Sequence, residues 1–196
     1  MENVVEVVIP AEMKEVPAGY LSKRYDVNRV VIEEGITRIH RYAFSECENL
    51  TEIILPESLL CIGPFAFYHC KKLKSIHIPS KVFLIDAGTF LGAESLKSIN
   101  LESVDYIGES AFQSCIALDD ITFSPTLQKI GEAAFFLCKS LNSIFIPSSL
   151  RSIGDGAFCG CSKLTDITFA STRVVNLAMR SAEVFTGCPA TTINPS

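Results

Sequence analysis

Apolar residues along this chain fall into fixed columns. Phenylalanines stand at Phe44, Phe67, Phe90, Phe112, Phe135 and Phe158, in steps of 23, 23, 22, 23 and 23 residues. A cysteine follows each by three (Cys47, Cys70, Cys115, Cys138, Cys161), with Ala93 as the exception. Three further on come Leu50, Leu73, Leu96, Leu118, Leu141 and Leu164, and three beyond those come Ile53 to Ile167. An isoleucine from Ile39 to Ile153 precedes each turn. A fixed period of roughly 20 to 50 residues marks a solenoid or array. One unit cannot bury its apolar side chains alone, but stacked units turn each column into a continuous spine. The run Leu50-x-x-Ile53-x-Leu55 ends in strand-like alternation. Successive strands are expected side by side in a parallel sheet, about 4.8 Å apart. Pro56, Pro79 and Pro147 lie just past the strand, where a missing N–H costs least. Gly63, Gly108, Gly131 and Gly154 follow the last apolar residue and are expected to relieve the backbone at a bend.

The whole chain, 1–196, reads as a single array. Residues 1–26 form a degenerate first repeat or cap, with Leu21 in place of the phenylalanine and Arg24 in place of the cysteine. Regular repeats occupy 27–170. The unit from Ile85 to Leu101 departs most: Asp86 replaces glycine, Ala93 replaces cysteine, and the turn after Leu101 is one residue short. A local kink or looser packing is expected there. After Phe169 the register fails, because Phe185 lies 27 residues beyond Phe158. Val174, Leu177, Ala178 and Phe185 recur at roughly helical spacing, so 173–184 is expected as a short helix or a looped coil. Residues 171–196 thus read as an irregular C-terminal cap, with a further strand at Ile193.

The pattern Leu-x-x-Ile-x-Ile/Leu-Pro … Ile-Gly-x-x-Ala-Phe-x-x-Cys resembles the BspA-like leucine-rich repeats. It departs from the commoner leucine-rich repeat, which has Asn after the strand, where this chain has Ser58, Lys81, Thr126 and Ser149. The resemblance implies a right-handed leucine-rich-repeat solenoid. Its parallel β-sheet would line the concave face, with one short strand per repeat of about 23 residues and little regular helix on the convex side. It also implies a function class: surface proteins that adhere to host matrix proteins and to other cells.

Composition adds bounds. The chain is 48% hydrophobic and 20% charged, enough apolar material for an elongated core. A net charge of −5 and the lack of a basic stripe argue against nucleic acid, which wants clustered Lys and Arg. Eight cysteines could suggest bridges or a metal. Six of them, including Cys188, follow the repeat or its C-terminal echo, so buried free thiols acting as small hydrophobes are expected. Cys159-Gly160-Cys161 lacks the spacing and the second pair of a metal site. Off the column, Cys61 is expected to be exposed and the more reactive. Asn49-Leu50-Thr51 matches a glycosylation sequon, although Leu50 is a core column. Met1-Glu2-Asn3 runs straight into strand-like sequence without a secretory leader, and no apolar run is long enough for a membrane span. The cell surface, implied by the resemblance, and the cytoplasm both stay open as locations.

The candidate site is the outward row of the sheet. The position between the two apolar strand residues reads Val8, Val31, Ile54, His77, Asn100, Thr122, Phe145 and Thr168. The preceding outward position includes Glu6, Arg29, Glu52, Asp120 and Asp166. A broad, rigid solenoid wall is the usual binding surface, and contiguous exposed apolar area often marks contact. Val31, Ile54, His77, Asn100, Thr122, Phe145, Thr168 and Asp120 are therefore the candidate contacts for a protein ligand, with an extracellular matrix protein as the class the resemblance implies. No catalytic set converges: His40, His69 and His77 occupy different repeat positions, and no cofactor or metal is expected. A monomer is expected. An intracellular interaction scaffold or structural spacer is the alternative reading.

Overall fold

The computed structural model describes residues 4–189 and the backbone of 192–195. It is a β-solenoid of about 7 parallel-stranded turns with little helix, the architecture that the repeat predicts. The expected strand begins each coil: Val5–Ile9, Val27–Ile32, Glu52–Ile54, Ser75–Ile76, Ser98–Leu101, Asp120–Phe123, Ser143–Ile146, Asp166–Phe169 and Thr192–Pro195. The pairings among the described residues are parallel and follow the repeat register, for example Ile121 with Ile99 and Ile144 with Ile167, apart from one shift between Val5 and Glu6. A second, two-residue strand marks the opposite edge of each coil, from Glu15–Val16 through Arg38–Ile39, Cys61–Ile62, Leu84–Ile85, Tyr106–Ile107 and Lys129–Ile130 to Ser152–Ile153. The isoleucine before the turn is the inward residue of this second ladder.

The core is the set of stacked columns. Phe44, Phe67, Phe90, Phe112, Phe135 and Phe158 are fully buried, and neighbouring rings stack at 5.0–5.4 Å between centroids. Phe185 rejoins this ladder at 5.6 Å from Phe158. The four extra residues before it are absorbed by a helix over Thr172–Ala178, whose buried Val174 and Ala178 close onto the core. The expected helix at 173–184 is therefore shorter, and turns complete the coil to Cys188. Thr192–Pro195 forms the anticipated further strand, paired with Asp166–Phe169.

Two expectations are corrected. The unit from Ile85 to Leu101 is not loosely packed: Phe90 and Ala93 are fully buried, and the ring ladder passes through it unbroken. The missing residue is taken up in the outer turn, where the Ser103 hydroxyl donates to the Val82 carbonyl at 3.3 Å. Interruptions of the long ladder fall instead between Ile54 and Ser75 and between Phe123 and Ser143. The glycines after the turn isoleucine also act differently. A Cβ on Gly63 would lie 2.8 Å from the Arg41 nitrogen, and one on Gly108 would lie 2.6 Å from the Ala87 nitrogen. These glycines permit close approach between coils. Left-handed backbone occurs two residues before and after each ladder phenylalanine, at Tyr42 and Glu46 or Phe65 and His69, for example.

The cysteine column has a polar function as well as a packing one. The thiols of Cys70, Cys115, Cys138 and Cys161 each donate to the carbonyl of the ladder phenylalanine one coil earlier, at 3.2 Å. Cys47 does the same to Leu21 at 3.0 Å. All eight cysteines are free thiols.

Candidate binding face

Strand alternation turns every second residue of the long strands outward, and the face divides into three parts. At the N-terminal end Val8, Val31 and Ile54 are in direct register. Val8 and Ile54 are exposed, while Val31, flanked on both sides, is half-buried. Beside this apolar row Arg29 bridges two coils, bonding to the Glu6 carboxylate and, at 3.0 Å, to Glu52. These two carboxylates hold the Arg29 guanidinium above its ordinary range. The charges here are thus largely satisfied within the sheet.

In the middle lies a shallow groove of about 410 Å³. His77, Asn100, Thr122 and Asp120 line it, together with Ser75 and Ser98. The structure therefore brings four of the candidate residues together. Their roles differ. The Asn100 amide accepts from the Ile78 N–H at 2.8 Å and donates to the Ile78 carbonyl at 3.2 Å. It completes the ladder beside the shortest of the long strands, Ser75–Ile76. His77 is exposed, with its Nε2 3.7 Å from the Glu57 carboxylate. Asp120 and Thr122 are exposed on the same wall.

Towards the C-terminal end Phe145 is 52% exposed, which is unusual for a ring on a sheet whose other phenylalanines are buried. It pairs in register with Thr168, a half-buried residue whose hydroxyl lies 3.5 Å from Asp166. Val31 and Ile54 thus lie on one side of the groove, and Phe145 and Thr168 on the other.

Elsewhere, Cys61 is only partly exposed, with its sulfur 3.6 Å from an Arg38 nitrogen. The Asn49 side chain is half-buried and donates to the Tyr25 carbonyl at 2.5 Å, so the amide of the sequon is already engaged. Sequence reasoning missed the thiol donors. Their signal was an offset of 26 residues from phenylalanine to the cysteine one coil later, or 25 across the short turn from Phe90 to Cys115. No helix among the described residues is long and apolar enough to cross a membrane.

The BspA type leucine rich repeat region matches in six copies, over residues 14–104 and 95–196. No curated protein matches the sequence. Among solved structures, a leucine-rich repeat protein from Eubacterium ventriosum is similar at 27% identity and a TM-score of 0.72, over 83% of this chain and 44% of that one. A leucine rich cell surface protein from Faecalibacterium prausnitzii is similar at 26% identity and a TM-score of 0.56, over 98% of this chain and 59% of that one. A T. pallidum leucine rich repeat protein is similar at 25% identity and a TM-score of 0.58, over 85% and 73%. The chain spans less than half the length of the first of these and under two thirds of the second.

Proposed function

Because the chain belongs to the BspA-type leucine-rich-repeat family, we propose that this protein-binding repeat module is a non-catalytic adhesion protein that holds its ligand on the concave sheet. The observation that carries this reading is the face itself. Exposed Ile54 and Phe145 lie either side of a polar groove, on a wall whose strands are fixed by the stacked core. Such a wall needs little ordering on binding, so few exposed aromatic and aliphatic anchors suffice. Matrix proteins of a host are the ligand class, and the cell surface is the location. The similar F. prausnitzii structure, that of a cell surface protein, supports that location.

The test is a panel of immobilised matrix proteins probed with the chain and with a His77→Glu/Phe145→Glu double variant. Saturable binding that is lost in the folded double variant supports the reading. Binding that survives moves the ligand to the turns or the convex side.

The free thiols favour a second reading, an intracellular interaction scaffold, because the column cysteines serve as hydrogen donors only when reduced. Counting thiols in protein taken from its own cell separates the two. Bridged cysteines would remove the scaffold reading.

A further inference from the structure

The second ladder carries an apolar patch that neither the core nor the concave face uses. Leu60 and Phe83 occupy the same repeat position in adjacent coils and are 54% and 55% exposed. Beside them Leu84 and Tyr106 pair in register and are also exposed. Four large apolar side chains in three successive coils make one continuous strip, of the kind that marks association.

The charges around this strip are arranged self-complementarily. Towards the N-terminus the face carries Arg41, unpaired among the described residues, and Arg38, which lies 3.6 Å from Glu15 one coil further out; Glu15 also meets His40 at 2.7 Å. Towards the C-terminus it carries Tyr106 and Glu109, with Lys129 one coil further. Arg41, Glu109 and Lys129 are exposed, and none of them forms an ion pair among the described residues.

We propose that this lateral face binds a second copy of the chain in an antiparallel, two-fold arrangement. The axis runs along the strand direction, between the coil of Leu60 and the coil of Phe83. Such an axis exchanges coils and leaves the position along each strand unchanged. Leu60 then meets the partner's Phe83, and Cys61 meets the partner's Leu84. One coil outward, Arg38 lies against the ring of the partner's Tyr106, a cation–π pair, and Arg41 faces the partner's Glu109. In the next coil Glu15 meets the partner's Lys129. Every contact occurs twice, as an isologous interface requires.

The size of the face sets the affinity. Six coils at about 4.8 Å by five residues at about 3.3 Å give a footprint of roughly 400–500 Å² per copy. That is the low end for specific association, so a reversible dimer at micromolar or weaker affinity is expected. The concave sheets stay free, and a dimer presents two of them to one ligand surface, which raises avidity. This inference does not depend on what the concave face binds.

Sedimentation equilibrium from about 1 µM to about 1 mM tests it. The expected result is a monomer–dimer equilibrium that Phe83→Glu abolishes. Arg41→Glu or Glu109→Arg alone weakens it about tenfold or more, and the two together restore it. Within one copy these residues lie three coils, about 14 Å, apart, so rescue reports a contact between copies. Circular dichroism confirms that each variant is folded, as substitution of exposed residues should leave it. A chain that stays monomeric to the highest concentration overturns the proposal. So does a dimer that ignores Phe83→Glu and the charge exchange.

Discussion

The Cys138 thiol donates to the Phe112 carbonyl one coil earlier, at 3.2 Å, and the same oxygen accepts the Cys115 N–H at 3.1 Å. Each ladder carbonyl of this kind is satisfied once within its own turn and once from the next coil. Cys138→Ala removes the second donor and leaves a small void. A loss of about 1–3 kcal/mol is expected. Cys138→Ser keeps a donor and should recover part of it. Urea unfolding of the three proteins measures this, and equal losses for Ala and Ser would mean that the column contributes packing alone.

The gap in the column makes the converse test. Ala93 stands where a thiol would reach the Phe67 carbonyl, as Cys70 reaches that of Phe44. Ala93→Cys should stabilise the chain by about 0.5–1.5 kcal/mol, the usual net worth of one hydrogen bond. A lower unfolding midpoint would show instead that the neighbouring side chains already fill the space.

The buried thiols also give stability a pH dependence. Burial pushes Cys47 up to about 11 from an ordinary 9.0, and Cys70 and Cys115 well above it. A raised folded value means that the unfolded chain loses these protons first. The contribution is therefore complete below pH 9.0 and is lost as the pH rises from there through the folded values, about 11 for Cys47. Melting temperature should hold steady near neutrality and fall from about pH 9. Cys47→Ser should soften that fall. A flat profile up to about pH 11 would contradict the burial argument.

The glycine after the turn isoleucine tests how closely the coils approach. A Cβ at Gly131 would sit 2.5 Å from the Gly108 carbonyl carbon and 2.6 Å from the Glu109 nitrogen, both backbone atoms that cannot swing away. Gly131→Ala should therefore cost well over 1 kcal/mol, although alanine ordinarily suits a backbone with negative φ. Thermal unfolding within a few degrees of the parent would show that neighbouring coils can part cheaply.

What was legible in the sequence was whatever repeats. Phe44 to Phe158 gave the ring ladder, and Ile53 to Ile167 gave the parallel sheet, because a column occupied in every coil has one physical explanation. The second ladder at Arg38–Ile39 and its successors was hidden, since only its inward isoleucine or valine repeats, the outward residue varies from Glu15 to Leu84, and two residues show no alternation. The conformation of the Gly63 column was misjudged because sequence cannot tell a glycine needed for φ from one needed for space. The outward row was found from alternation, but identity alone could not say which of its members face a ligand. Asn100 looked like a surface residue, and only the backbone shows what its amide meets.

Asn100 therefore separates scaffold from contact surface. Its amide pairs with both the N–H and the carbonyl of Ile78, acting as a substitute strand where the ladder is short. Asn100→Asp keeps the shape and the acceptor but replaces the donor with a carboxylate oxygen that faces the Ile78 carbonyl. That change should cost about 1–3 kcal/mol by leaving an acceptor unpaired next to a charge. Asn100→Leu loses both bonds and should cost at least as much. His77→Glu and Phe145→Glu alter exposed side chains and should leave the unfolding midpoint nearly unchanged while abolishing ligand binding. Denaturation and binding measured on the same four variants give the contrast. If Asn100→Asp proved as stable as the parent but failed to bind, Asn100 would be a ligand contact, and the apparent ladder bond would contribute nothing to the fold.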